Sequence, residues 1–585
     1  MPFVAPLDDM LVMLETVAVR RRSSSPTALL FDSGEARAVL EQAAKFSART
    51  VAPLNHPGDR WGAVFEDGSV ILPEGWREAY ILWTRGGWNA VSLPEEHGGA
   101  GMPTIMNTMA MEMLTAANMA FSTLPVLTQG AVDALEVHAS DRLKALYLPR
   151  LVSGEWTATM NLTEPQAGSD LAQIRTRAEP AGDGSYRITG NKIFITFGEH
   201  SMADNIVHLV LARLPDAPEG TKGISLFLVP KFIPDHNGKP GARNDLRCTG
   251  IEKKLGIKAS PTCQMSFGDH SGAKGWLIGH PHNGLACMFT MMNKARLATG
   301  LQGVAIAERA TQKAMHYAAE RRQGRAAGVA TPAPIHHHPD VQRMLGRMQV
   351  LTATARALAY MAAEAIDAAA SAETPEQRAE NETRAGLLTP IVKAFCTDAG
   401  VEVASLGVQV HGGMGFIEET GAAQYYRDAR IAPIYEGTNG IQAIDLVMRK
   451  LSANGVPVLA RLFDEARATI ARAGWLSGWS AMGGLVGAAA AATEWIASQG
   501  RREPEKLFAA SHYLRLAALA LGGAALVSAG TNAPEGPLRD RFRALARVFA
   551  AEFACEADSL SASIPAMGSQ AESYSALAGV PRPAA

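Results

Sequence analysis

The sequence predicts a multidomain α+β protein: an N-terminal helical domain, a central antiparallel β-barrel or sandwich, a C-terminal helical bundle and an extra C-terminal helical unit. Two patterns and one length predict it. Apolar residues recur at helical spacing on both sides of a central region. That region holds short β-branched and aromatic runs bounded by Gly, Pro, Asp and Asn, with no helices between them. At 585 residues the chain is too long for one core and should divide into roughly three or four units.

Residues 1–35 read as an extension closing in a basic, serine-rich linker, Arg20 to Pro26. Residues 36–156 are helical, as in Ala36, Val39, Leu40, Ala43, Ala44 and Phe46. Their turn cluster Pro94–Gly101 lacks the glycine spacing of a dinucleotide site. Residues 157–283 are the β-domain, with runs at 157–163, 186–189, 192–196, 206–213, 224–230, 264–267 and 276–279, and a tight hairpin expected over Ile188–Lys192. Residues 284–452 return to helices at Met288–Tyr317, Pro339–Ala370 and Pro390–Val410, with polar Glu373–Arg384 as a connector. Residues 453–566 form the extra unit, begun by Leu459, Leu462, Phe463, Ala466 and Ile470 and containing a buried helix over Leu507–Leu526. Residues 567–585 are small, polar and Pro-containing, so disorder is expected.

Composition narrows the function classes. Hydrophobic content of 47% and charge of 19% suit a soluble globular protein. A net charge of −2 gives no global attraction to nucleic acid or anionic membrane. Five scattered cysteines without a C-x-x-C pair point to reduced thiols, a cytoplasmic setting and no zinc site. Asp8, Asp9 and Glu15 without a basic start are unlike a signal peptide. The apolar run Leu516–Leu526 is shorter than the ~18 residues of a membrane span.

Three segments could carry chemistry. In Ile434–Gln442, Glu436 sits in a Gly-rich bend before a helix expected to start near Gly440, with Asn439 and Gln442 at capping-box spacing. Ile441, Ile444, Val447, Met448 and Leu451 should face a core. A carboxylate so held suits a general base, and equally a Glu that merely ends a loop. Met160–Asp170 offers neutral donors around Thr163, Gly168 and Ser169, fit for a polar heterocycle or phosphate, or for an ordinary Asx/Pro turn. Gln409–Phe416 packs three glycines after a helix, allowing close approach of a cofactor or a simple C-terminal cap. His336–His338 has no second spaced ligand and reads as a loop, so no metal is expected.

In this order and on this architecture, the segments resemble the acyl-CoA dehydrogenase family over residues 36–450. Thr163–Asp170 matches its TEPxAGSD flavin segment, Gly190–Thr196 its second flavin strand, Glu320-Arg321 the pair before its ADP-binding stretch, Gln409–Gly415 its QxxGGxG turn and Tyr435–Thr438 its YEGT sequence. The extra C-terminal unit is similar to a long bacterial subgroup.

The resemblance implies FAD as cofactor and α,β-dehydrogenation of an acyl-CoA, either 3-methylmercaptopropionyl-CoA or another of short or medium chain. It makes Glu436 the base. Met160, Leu162, Thr163, Gly168, Ser169, Phe194 and Thr196 would meet the flavin ring; Arg321, Gln409, Gly413, Thr438 and Gly440 would serve the rest of the cofactor. Ser169, Asn293, Arg296, Tyr435 and Gly437 would bind substrate. A homodimer and electron-transfer flavoprotein as acceptor are also implied, with no nucleic acid and no membrane span. Two departures stand out: Arg322-Gln323-Gly324-Arg325 replaces the family's Phe and Gly after Arg321, and Met160 replaces an aromatic. An acyl-CoA oxidase and a DNA-associated flavoprotein share the same fold and are the alternatives.

Overall fold

The structure, a computed structural model, describes residues 2–19, 25–451, 454–476, 479–499 and 504–579. Its N-terminal region is built from helices α1 (Leu7–Leu14), α2 (Pro26–Asp32), α3 (Glu35–Phe46), α4 (Asn55–Trp61), α5 (Trp76–Arg85), α6 (Thr104–Ala117), α7 (Met119–His138) and α8 (Asp141–Ser153). A small hairpin, β1 (Val64–Glu66) with β2 (Ser69–Ile71), interrupts them. The expected extension is part of the core: Met10 through Leu14 and Val17 are buried. Of the expected linker, Arg20–Ser24 lie outside the described residues, while Ser25 caps α2 by accepting from the Ala28 amide at 3.2 Å.

The β-domain contains β3 (Trp156–Asn161), β4 (Arg177–Pro180), β5 (Tyr186–Thr196), β6 (Asn205–Arg213), β7 (Ile224–Pro230), β8 (Phe232–Pro234), β9 (Pro240–Arg243), β10 (Leu246–Ile251), β11 (Thr262–Phe267) and β12 (Ala273–Ile278). The main sheet runs β10-β11-β5-β12-β7-β6-β3, with β4 beside β5 and β6. It is mixed rather than wholly antiparallel, because β3 and β6 pair in parallel. The expected hairpin at 188–192 is absent; β5 is one bent strand that changes partner. Tyr186–Ile188 pair with β12, and Gly190–Thr196 with β11. Gly190 turns the strand at φ +153°, where a Cβ would lie 2.5 Å from the Thr176 hydroxyl.

The bundle comprises α9 (Gly284–Glu320), α10 (Pro339–Ala370), α11 (Pro375–His411), α12 (Ala422–Ala429) and α13 (Asn439–Asp445). The polar connector expected at 373–384 is mostly the exposed first turns of α11. Thr374 caps it through the Gln377 amide at 3.2 Å, Pro375 fills the first helical position, and Pro390 lies in its interior. Helices α9 and α11 cross backbone to backbone: a Cβ on Gly303 would fall 2.0 Å from the Cys396 carbonyl, and one on Gly400 2.8 Å from Gly303. A buried charge knot ties this bundle to the N-terminal helices. Arg356 on α10 meets Glu112 of α6 and Glu308 of α9, each at 2.7 Å, and the Tyr360 hydroxyl donates to Glu112 at 2.7 Å.

The extra unit is α14 (Gly455–Ala471), α15 (Trp479–Ser498), α16 (Pro504–Asn532), α17 (Pro537–Ser569) and α18 (Ala571–Leu577). One apolar core runs continuously through the N-terminal helices, the bundle and this unit. By length and composition α16 is apolar enough to cross a membrane, contrary to the short run read from sequence, yet 78% of its most apolar window is buried within the protein. The tail expected to be disordered from 567 remains helical through Leu577; Ile564, near the end of α17, is buried.

Candidate active site

Glu436 lies half-buried in the bend between α12 and α13, at φ +58°, with Gly437 following at φ +84°. A left-handed non-glycine residue costs on the order of 1–3 kcal/mol and persists only where its surroundings over-determine it. The bend has such surroundings. Gln442 Nε2 donates to the Glu436 carbonyl at 3.1 Å, and the Asn439 amide donates to the Pro433 carbonyl at 3.0 Å. The cap differs from the expected box: Thr438 Oγ1 accepts from the Ile441 amide at 3.3 Å, so α13 starts at Asn439. Gln442 is thus turned back on the bend. Asn439 reaches across to α11 instead, accepting from Lys393 Nζ at 2.9 Å and donating to Asp398 at 2.8 Å. The buried face of α13 is Gln442, Ala443 and Asp445, continued by Leu446 and Val447, whereas Ile444 is exposed.

The electrostatics of the bend oppose each other. Burial raises the Glu436 carboxyl above its ordinary range, while the charges of Arg296 and Lys393 pull it down. Arg296 is buried on α9, 3.5 Å from Asp445, and its Nε has no hydrogen-bond partner among the described residues. Its guanidinium thus makes an ion pair in the interior, while Nε is left over for another acceptor. Lys393 is fully buried, and desolvation pushes its ammonium down to about 8 against the pull of Glu436 and Asp398. Tyr435 donates its hydroxyl to Gln302 of α9.

The second wall is the segment after β3 together with the end of β5. Glu164 is buried and accepts from Lys192 Nζ at 2.8 Å, the Thr176 hydroxyl at 2.6 Å and the Arg175 amide at 2.7 Å. Burial alone would raise its carboxyl, but Lys192 and these donors hold it at about 2. That pair locks the 163–170 turn to β5, and the Ile193 amide donates to the Thr163 carbonyl at 2.9 Å. Around the lock, the hydroxyls of Thr163, Ser169 and Thr196 have no partner among the described residues. Phe194, held at φ +60°, leaves its ring 58% exposed beside them. Met160 and Leu162 are half-buried, and Gly168 is exposed.

A short chain of contacts connects the two walls. Thr196 pairs with Thr262 on β11, and the Phe197 amide donates to the Pro261 carbonyl at 2.8 Å. The same 252–261 loop is held at its other end by Asp428 of α12, which accepts from the Ile257 amide. Arg427 adds a bond to the Leu255 carbonyl at 3.1 Å. Asp428 lies eight positions before the base and Thr196 at the end of the exposed aromatic strand, so this loop touches both segments.

The other expected cofactor residues gather elsewhere. Tyr317 of α9 stacks on His411 of α11 at 4.3 Å, which puts Arg321, Gln409 and Gly413 at one shared end of the bundle. All three are exposed there, beside exposed Met414, Phe416 and Ile417. The loop departing from the family pattern is closed by the Gln323 amide on Ala333 at 2.9 Å and by His338 on the Gln323 carbonyl at 2.8 Å, so His338 is committed to the loop. Asn293 and Gly440 are exposed. Sequence reasoning missed Lys393 and Asp428. Lys393 carried a signal, a lone charge within the apolar run Leu387–Cys396.

Comparison with known proteins finds relatives along most of the chain. Profiles for the acyl-CoA dehydrogenase N-terminal, middle and C-terminal domains match residues 33–155, 159–270 and 282–451. A 3-methylmercaptopropionyl-CoA dehydrogenase of Ruegeria pomeroyi is 50% identical over 472 residues, covering 80% of each chain. A butyryl-CoA dehydrogenase of Syntrophomonas wolfei is 36% identical over 419 residues, 70% of this chain and 68% of that one. In structure, Caenorhabditis elegans ACDH-11 in complex with C11-CoA superimposes with a TM-score of 0.75 at 20% identity, covering 94% of this chain and 92% of that one. A Bacillus anthracis acyl-CoA dehydrogenase complexed with FAD gives 0.70 at 21%, with the same coverages. These structural likenesses extend beyond the three matched domains into the extra helical unit. By three consecutive domain matches and close relatives along most of its length, the chain belongs to the acyl-CoA dehydrogenase family.

Proposed function

We propose that the protein oxidises an acyl-CoA thioester to the trans-2-enoyl-CoA, with Glu436 as the α-proton acceptor. The observation that carries this reading is a half-buried carboxylate on a left-handed bend, flanked by two buried cations and tied through one loop to the exposed aromatic strand. The unpartnered hydroxyls of Thr163, Ser169 and Thr196 around Phe194 fit the polar edge and flat face of a flavin ring. FAD would be held there, with Met160, Leu162 and Gly168 alongside, and would supply the acceptor for the β-hydride. Arg321, Gln409 and Gly413 would hold its ADP half, the last two from a second copy of the chain. The exposed Met414, Phe416 and Ile417 support such a homodimer. Thr438 accepts the cap bond and keeps its O–H as a donor for the cofactor, while Gly440 would meet it through backbone.

A thioester α-proton is far too weak an acid for an unaided carboxylate. The Glu436 amide, which donates to no acceptor among the described residues, is free to bond the thioester carbonyl and stabilise enolate charge. Desolvation under the acyl chain raises the carboxyl further and makes it a stronger base. Tyr435 and Gly437 flank it, and Ser169 and Asn293 are the exposed polar groups available to the CoA arm.

The relatives' names support a short or medium acyl chain, 3-methylmercaptopropionyl-CoA first. Electron-transfer flavoprotein is the acceptor we infer, and the free thiols suit a cytoplasmic setting. A DNA-binding role finds no support in the extra unit, where Arg539 pairs with Glu535 and Arg541 with Asp9, each at 2.9 Å. The test is anaerobic bleaching of the flavin with a panel of acyl-CoAs, wild type beside Glu436→Gln. The reading expects bleaching by the wild type and slow reoxidation in air, with tight binding but almost no reduction in the variant. Full reduction of Glu436→Gln would overturn it, and rapid reoxidation would favour an oxidase.

A further inference from the structure

The buried ammonium of Lys393 has no role in the mechanism above, yet it lies behind the base. It comes from α11 just before the close crossing with α9, where Gly400 and Gly303 let the backbones touch. Its Nζ donates to Asn439 Oδ1 at 2.9 Å. Asn439 is a hub: it also bonds the Ala394 carbonyl at 3.1 Å, Thr397 at 3.0 Å and Asp398 at 2.8 Å, while its own amide closes the bend onto Pro433. Lys393 thus grips the first residue of α13, three positions after Glu436, and its charge pulls the carboxyl down, after that of Arg296.

We propose that Lys393 is a positioning residue for the base: its ammonium holds the 436–439 bend through Asn439 and stands as a fixed positive charge beside that bend. The proposal rests on the dehydrogenase reading and deepens it. A base that must be desolvated to be strong is at risk of being protonated before substrate arrives, since burial favours the neutral acid. A buried cation bonded to the bend through Asn439 offsets that. Other charges act on the same group and bound the effect. Arg296 on α9 also faces Glu436, but it is shared with Asp445, which in turn binds Arg449. Asp398 draws on Lys393 from the far side and is itself influenced by Arg515 of α16 and by Arg430. Tyr435 is held neutral by burial. Lys393 is the cation whose hydrogen bond and charge both reach the bend.

The test is kcat/KM against pH, from 6 to 9.5, for the FAD-loaded enzyme with butyryl-CoA and 3-methylmercaptopropionyl-CoA, comparing wild type with Lys393→Arg, Lys393→Met and Lys393→Gln. Loss of the charge should move the acid limb upward by about one unit, so activity near pH 6.5 falls about tenfold and recovers near pH 9. Lys393→Gln keeps a donor for Asn439 and should show the same displaced limb, whereas Lys393→Arg should keep the wild-type limb. Equal loss at every pH, with the limb unmoved, would overturn the proposal and leave Lys393 a packing residue. Failure of both neutral variants to fold, seen as a lost cooperative melt, would overturn it too. A wild type that oxidises neither thioester, though FAD is bound, would tell against the dehydrogenase reading instead.

Discussion

Gln442 Nε2 donates to the backbone carbonyl of Glu436 at 3.1 Å, so the helix that follows the base also pins it. The bond needs Gly437 between them: a Cβ there would stand 2.7 Å from the same Nε2, on a backbone already at φ +84°. Gly437→Ala should therefore break the pin and strain the bend together. Expected are a fall in kcat of at least about tenfold and a stability loss of about 1–3 kcal/mol, read by flavin bleaching rate and urea unfolding. Gln442→Leu should lower kcat with a smaller loss of stability.

The Glu164–Lys192 pair should matter for geometry more than for net stability. Lys192 and its neighbours hold the Glu164 carboxyl down against burial, while burial pushes the Lys192 ammonium down, so desolvation offsets much of the pair's attraction. Removing one partner leaves a buried charge, so Lys192→Met should cost about 3–5 kcal/mol and weaken FAD retention. The double variant Lys192→Met with Glu164→Gln should recover much of that stability. A denaturant series on the two singles and the double measures the coupling.

Asp428 makes the docking of the 252–261 loop sensitive to pH. Burial raises its carboxyl to about 7, against the ordinary carboxylate value near 4. The folded state therefore binds a proton more tightly than the unfolded chain. This contribution is full below about pH 4 and is lost as pH rises through 7. Melting temperature should decline between pH 5 and 8, and Asp428→Asn should flatten that slope, as thermal scans across the range would show.

The extra helical unit should prove inseparable from the catalytic bundle. Arg347 of α10 bridges Glu402 of α11 and Glu552 of α17, the latter at 2.8 Å, over a shared apolar core. A chain ended after Leu451 would expose the apolar faces of α10 and α11. It should aggregate or melt at markedly lower temperature, measured by light scattering on heating.

The helical periodicities and the order of domains were legible because each element repeats an apolar spacing that local chemistry enforces. Glu436 was legible for a similar reason, since glycine and a capping residue advertise a fixed bend. What stayed hidden depends on contacts between distant segments. Lys393 meets Asn439 only because α9 and α11 cross at glycines, and Arg296 turns inward because Asp445 is there to receive it. The bend at Gly190 looked like a hairpin because local turn chemistry does not reveal that a strand will change neighbours. The polar start of α11 looked like a connector because solvent-facing helix and loop have the same composition.

The 2.9 Å bond between Arg541 and Asp9 joins the last long helix to the first one. On the ribosome, residues near 10 emerge long before those near 540, a delay on the order of a minute at typical synthesis rates. Met10, Leu11 and Leu14 themselves lie on the helix that packs against α3 and α10, so their seat is complete once α10 has been made. The Arg541–Asp9 bond is therefore a late addition to α1 during synthesis, made only once α17 has emerged.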